Sequence, residues 1–425
     1  MNNFYENILE YTKDIDVIDT HEHLPNSEDA RDKDTDVLKE YLCQYFRRDL
    51  ISAGLKMDDY VKVINNHLPI MDRWKIVEPY WEFCRNTGYG RSLDIAVKGL
   101  YGIEKICGET IEELNSLFLT TLKPGHFKKV LKEKCRIKTS LLVRDVLVCD
   151  KNFFSIVPSI GSLVSPATES DVKKIETESG VKIHSFDDWL DATKIMIDKH
   201  LKMGAVGLKC GLAYTRSLNF ERVTKSDAEN DFNKIFNVKH YPDWQSKTFV
   251  VGKKFQDYMM HFILRIAAKN NVTMQIHTGI QEGNGNIIYN SDPSLLTNLF
   301  LEYPDVDFDI FHIGYPYQHV LSALAKMFPN VFIDMCWAHI ISPEASINSL
   351  IEWIDSVPIN KISAFGGDYR FVDGVYGHLQ LAKMNVSRAL AKKVEDGVFD
   401  LDRAKKIVDM LFYENPNRIF KLKLS

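Results

Sequence analysis

Two histidines one residue apart, His21 and His23, follow the run Asp16-Val17-Ile18-Asp19-Thr20. A strand alternates its faces, so positions i and i+2 point the same way. Two imidazoles then aim at one point just past a strand's carboxyl end. Neutral imidazole is the commonest protein ligand for zinc-like ions. Two histidines after a strand are more often ordinary surface residues, so further ligands must come from elsewhere in the chain. Other buried-type runs supply them. The run 205–209 ends on Lys209, 272–276 runs into His277, 306–311 into His312 and 362–367 into Asp368. All are metal-ligand or proton-transfer types, and composition alone does not explain them, because the chain holds only 13 histidines.

The residue types name the chemistry. His21, His23 and Asp368 offer two neutral nitrogens and one anionic oxygen, the donor set of a catalytic zinc site with an open position. His277 could complete a mononuclear site. A divalent ion there, zinc first among the candidates, lowers the pKa of its water towards ~7 and polarises a carbonyl. Asp368 can also accept a proton, and His312 is placed as a second-metal ligand or as an electrophile. Lys209 has two readings. Carboxylated, it bridges two ions; unmodified, it binds a carboxylate or phosphate, or acts as a base with a lowered pKa. The site therefore takes one or two ions.

These residues need elements to bring them together. Strands are expected at 16–20, 137–143, 153–158, 205–209, 272–276, 306–311, 331–336 and 362–367. Helical spacing of apolar residues fills most of the intervals. Eight strand-helix units imply an α/β (β/α)8 barrel, whose active site lies at the carboxyl ends of the strands. Residues 1–24 and 136–425 are read as the barrel. Residues 25–135 carry helical periodicity broken by Pro69, Pro79 and Pro124-Gly125, and are read as a helical insertion after strand one. The stretch 210–250 reads as loop-rich, and the glycines in Glu282-Gly283-Asn284-Gly285-Asn286 read as a rim loop.

Bulk properties narrow the partners. The chain has 425 residues, 45% hydrophobic and 26% charged, with a formal net charge of −5. That gives no reason to expect nucleic acid or an anionic membrane as partner. No stretch reaches the ~18 apolar residues of a membrane span. Seven cysteines without a C-x-x-C pair suit free thiols in a reducing cytoplasm. A small-molecule substrate is expected, and the insertion is a plausible surface for a homo-oligomer.

The pattern of His-x-His on strand one, Lys209 on four, His277 on five, His312 on six and Asp368 on eight resembles the amidohydrolase superfamily. The resemblance covers 14–24 and 137–420. Phe311-His312-Ile313-Gly314-Tyr315-Pro316-Tyr317, with 328–334 after it, is similar to the amidohydrolase-related branch, which includes hydrolases and decarboxylases. The uronate isomerases of the same superfamily also carry a large helical insertion after strand one. They share an Asp-x-Arg matched by Asp368-Tyr369-Arg370, whose arginine in that family contacts the substrate carboxylate. Lys209 departs from their pattern, as does the lack of an aromatic and basic run after Arg370. The resemblance implies a metal-dependent hydrolase, with a sugar-acid isomerase or a decarboxylase as alternatives. A non-catalytic barrel is the competing class.

Weaker candidates line the same rim. The forks of Arg370 and Arg216 match carboxylate geometry, although either could pair with an acidic neighbour instead. Tyr214 and Tyr315 are loop aromatics expected at the substrate, with packing as their ordinary role.

Overall fold

The computed structural model describes residues 4–144, 148–237, 251–283 and 285–424. Its eight parallel strands are β1 (Val17–Glu22), β2 (Ile137–Val143), β3 (Phe154–Val157), β4 (Gly207–Cys210), β5 (Thr273–Ile276), β6 (Phe308–Ile310), β7 (Val331–Asp334) and β8 (Ile362–Ser363). They pair in chain order as a three-stranded ladder, β1 to β3, and a five-stranded ladder, β4 to β8. Backbone hydrogen bonds stitch both seams. Between β3 and β4, Val206 N donates to Ile156 O and Lys209 N to Pro158 O, at 3.0 and 2.9 Å. Between the chain after β8 and β1, Thr20 N donates to Phe365 O and Asp368 N to His21 O, at 3.0 and 2.8 Å. The result is a (β/α)8 barrel, with strands short and buried on both faces as a parallel sheet covered by helices requires.

The barrel interior departs from the usual branched apolar filling. Lys209, Gln275 and Asp309 are neighbours in register on β4, β5 and β6, and all are buried. Gln275 Nε2 reaches across to Thr20 O (2.9 Å) and to Asp309 Oδ2 (3.2 Å). A polar layer thus lies directly beneath the strand ends.

Between β1 and β2 the chain forms helices Val37–Tyr41, Tyr45–Ser52, Met57–Val63, Ile70–Cys84, Gly88–Tyr101 and Ile111–Thr120, then the π-helix Lys128–Lys134. The buried side of this segment joins the main core through Tyr41, Tyr45, Phe46, Trp74 and Trp81. The long helix Val372–Glu395 follows β8 and packs on Gly88–Tyr101, where Gly377 lies so close to the Ser92 carbonyl that a Cβ would meet it at 2.0 Å.

The loop reading of 210–250 needs correction over Lys225–Phe232, which is helical. Thr224 accepts from Asp227 N and starts the helix, a capping pattern whose apolar face was too short to register as periodic. Residues 238–250 lie outside the described residues.

Candidate active site

Backbone conformation at the strand ends is unusual. His312, Trp337 and Asp368 follow β6, β7 and β8 with φ of 62°, 59° and 59°. Non-glycine residues reach this left-handed region at a cost, and such residues cluster at functional sites. Asp368 is held there by its neighbours. Its N–H donates to His21 O. Its carbonyl accepts from Gln44 Nε2 at 2.9 Å and from Tyr45 Oη at 2.6 Å. Gln44 Oε1 accepts in turn from Arg370 N at 2.9 Å. Tyr45 stacks against both Trp337 and Tyr89, with ring centroids at 4.5 and 5.4 Å. Residues from the segment between β1 and β2 therefore fix the turn that carries Asp368.

Three donor atoms converge first. His21 Nε2 and His23 Nε2 lie 3.3 Å apart. Asp368 Oδ1 lies 3.6 Å from the first and 3.3 Å from the second. A tetrahedral ion with bonds of about 2.0–2.1 Å spaces its ligands roughly 3.4 Å apart, so these three atoms fit a zinc-like cation. His21 is buried, and burial, followed by the charge of Lys209, pushes its pKa well below the ordinary value. A neutral imidazole with a free lone pair is the form that ligates a metal.

A second pair faces the same carboxylate. His312 Nε2 lies 2.9 Å from His277 Nδ1 and 3.8 Å from Asp368 Oδ2. Each outer ring nitrogen points at a backbone carbonyl: His277 Nε2 at Ile280 O (3.0 Å) and His312 Nδ1 at Cys336 O (2.9 Å). A carbonyl only accepts, so both outer nitrogens carry the protons. If both rings are neutral, two lone pairs then face each other at 2.9 Å. Burial holds both pKa values well below the ordinary histidine range, so the pair is short of one proton or one cation. Cys336 and Asp368 form a second close donor group with His312, and burial holds the Cys336 thiol protonated.

Lys209 sits among these rings. It is 5% exposed, its ammonium has no hydrogen-bond partner among the described residues, and Nζ lies 3.4 Å over the ring of Phe311. Burial lowers its pKa to about 8. An unpartnered buried ammonium is costly unless it serves a ligand.

The five strand-end groups expected from sequence are thus brought together, with His277 directed to His312 and outside the His21–His23–Asp368 trio. The rim residues divide. Tyr214 lies with its ring 4.6 Å from His277, and its hydroxyl accepts from Glu282 N. Arg370 is exposed and has no side-chain partner among the described residues. It lines a cavity of about 290 Å³ with Arg31, Lys39, Glu40, Cys43 and Phe127. Tyr315 is half-buried, and its backbone carbonyl accepts from Ile280 N. Arg216 is a correction. Its guanidinium is spent on Asp257 (2.7 Å), Asn219 O, Ser217 O and Gln256, so it braces the fold instead of meeting a substrate.

Sequence reading missed several participants. Gln44 and Tyr45 carry no local signal, because their partner lies more than 320 residues away. The buried carboxyls Asp309 and Asp334, both pushed up by burial, interrupt apolar strands, and a polar group in a buried run needs a partner. Glu22 is also buried, and its carboxylate accepts from Tyr369 N at 2.9 Å.

The fold and the donor cluster define a metal-dependent (β/α)8 barrel. An amidohydrolase family model matches residues 184–422, and the chain belongs to that family. Over 223 residues, 51% of the chain, it is 23% identical to protein fluG of Emericella nidulans, the match covering 26% of that protein. Over 156 residues, 36% of the chain, it is 26% identical to the uronate isomerase of Caldanaerobacter subterraneus, covering 29% of it. The chain thus spans under a third of the length of the curated relatives it matches. The fold is uronate isomerase-like. The uronate isomerase of Thermotoga maritima superposes with a TM-score of 0.81 at 14% identity, covering 99% of this chain and 98% of that one. No helix among the described residues is long and apolar enough to cross a membrane.

Proposed function

We propose that the chain is a metal-dependent hydrolase acting on a carbonyl-type centre of a small, carboxylate-bearing substrate. The observation that carries this reading is the facing of two donor groups across one carboxylate: His21 and His23 near Asp368 Oδ1, and the His277–His312 pair near Oδ2. His21, His23 and Asp368 would hold a divalent ion, zinc first. Such an ion supplies an acidified water and a polarised carbonyl.

The remaining chemistry belongs to the chain's own groups. Asp368 Oδ2 faces His312 and accepts a proton from water. The lone pairs of His277 Nδ1 and His312 Nε2 hold that proton between them and return it to the leaving group. The Lys209 ammonium, with no counter-charge in hydrogen-bond contact, stabilises negative charge that develops on the substrate oxygen. Trp337 packs edge-on against His312, with ring centroids 5.1 Å apart, and excludes water from that side. Arg370 binds the substrate's carboxylate, and Tyr214 walls the pocket beside His277. In this reading residues 25–135 form an insertion that shapes the pocket through Gln44 and Tyr45. The free cysteines support a reducing compartment such as the cytoplasm.

A second reading, a uronate-type aldose–ketose isomerase, is favoured by the similarity to the Caldanaerobacter enzyme and by Asp368-Tyr369-Arg370. Incubation with a panel of uronates and N-acyl or ester carboxylates in deuterated water separates the two. Hydrolysis yields two products with the mass of water added. Isomerisation conserves mass apart from deuterium gained at carbon, and that outcome would replace the first reading with the second.

A further inference from the structure

The helix that follows β8 carries a second concentration of charge. Tyr376, Gln380 and Lys383 fall at i, i+4 and i+7 of Val372–Glu395, one helical face. They line an open surface cavity of about 560 Å³ together with Lys13 and with Lys129, Glu133 and Lys134 of the π-helix before β2. Four ammonium groups face this space against one carboxylate. Lys13 is paired with Glu10, and Lys134 donates to the neutral Gly99 carbonyl at 3.1 Å. Glu133 is only loosely engaged, 3.9 Å from Lys128.

Lys383 is the telling member. It is 3% exposed, yet its ammonium makes no hydrogen bond or ion pair with any described residue. An ammonium on a side chain buried this far, reaching solvent only through the cavity and without a partner, is held at a cost that an arriving anion would relieve. Cys135 and Asp14 are the groups that favour its charge, and burial outweighs them, lowering its pKa to about 8. Lys129, across the cavity, is exposed and equally without a side-chain partner among the described residues. A buried donor, an unpaired flanking cation and two further polar side chains, Tyr376 and Gln380, suit a compact anion of more than one negative charge. A single carboxylate would leave part of the positive charge unmatched.

We propose that this cavity binds the phosphate group of a small soluble ligand, with Lys383 as the deep contact and Lys129 and Lys134 flanking it. Such a ligand would tie together three segments: the end of the first helix, the π-helix that leads into β2, and the helix that follows Asp368. It acts away from the strand ends, so its first effect is on stability.

The test uses the enzyme as purified, with its metal. Thermal unfolding and calorimetric titration are run with inorganic phosphate, and with chloride at matched ionic strength. Phosphate is expected to raise Tm saturably where chloride does not, and to keep doing so after the metal is chelated. Lys383→Met and, separately, Lys129→Ala are each expected to weaken phosphate binding by about tenfold or more. Lys129 is on the surface, so that variant keeps the fold even if Lys383→Met does not. Equal effects of phosphate and chloride, or unchanged affinity in Lys129→Ala, overturn the proposal. A phosphate effect that vanishes with the metal overturns it too, because the anion then sits at the strand-end site.

Discussion

Tyr45 Oη donates a 2.6 Å hydrogen bond to the carbonyl oxygen of Asp368, joining positions 323 residues apart in the chain. Asp368 has a left-handed backbone, a conformation that persists only where surrounding contacts over-determine it. Tyr45→Phe leaves Gln44 as the sole side-chain donor to that carbonyl among the described residues. We expect a loss of about 1 kcal/mol in urea unfolding and a fall in kcat of about tenfold, since small misplacement of a catalytic group is costly. Unchanged kinetics would show that the turn holds its shape without Tyr45.

Lys209 separates a structural from a chemical role. Its ammonium has no hydrogen-bond partner among the described residues and rests only over the Phe311 ring, so removing it should not weaken the fold. Lys209→Met is expected to unfold at the same or higher urea concentration while kcat/KM falls about a hundredfold or more. A structural lysine would give the reverse: lost stability with activity preserved in the folded fraction.

Arg216 and Arg370 make a matched pair. Arg216→Met leaves the buried Asp257 with only Lys253 at 2.5 Å and should cost about 2–3 kcal/mol, with KM unchanged in the folded fraction. Arg370→Ala should leave unfolding within ~0.5 kcal/mol and raise KM roughly ten- to a hundredfold. Steady-state kinetics beside urea unfolding of each variant reads both effects.

Acid should weaken the fold in two windows. Burial keeps His339 and His378 neutral, with pKa values near 4 and 3. Both lie below the unfolded value of about 6.5, so their contribution is complete above pH 6.5. It falls by up to about 1.4 kcal/mol per pH unit per histidine as pH drops towards those values. Asp373 adds a lower window. Burial opposes its charge, but His126 at 2.6 Å, together with Arg31 and the Tyr101 hydroxyl, outweighs it and brings the pKa to about 2. Its share, about 2 kcal/mol, is present above pH 4 and lost as pH falls towards 2. Urea unfolding from pH 7.5 to 3 should show the first decline, and His378→Asn should flatten it.

The barrel and the cluster were legible in the sequence for one physical reason. A (β/α)8 barrel puts every strand end on one rim, so ligand-type residues closing successive apolar runs could be assigned to one site without knowing any distance. His21, His23, His312 and Asp368 followed from that rule. What the rule could not give were contacts made sideways across the rim. Tyr45 and Gln44 reach Asp368 from a helical segment whose docking depends on tertiary packing. The facing lone pairs of His277 and His312 depend on which carbonyl each ring meets. Arg216 stays ambiguous in sequence because a fork suited to a substrate carboxylate suits Asp257 equally well. The capped helix at Lys225–Phe232 is short and weakly amphipathic, so periodicity passed over it while its Thr-x-x-Asp start was there to be read.

Metal content bears most directly on the account. Elemental analysis of the purified protein, with and without reloading by zinc, should find at least one divalent ion per chain, with activity rising in proportion to occupancy. His21→Ala and His23→Ala should each lose that ion and its activity while urea unfolding confirms a folded barrel. Folded protein that neither carries nor takes up a divalent ion, with His21→Ala and His23→Ala as active as the parent, would contradict it.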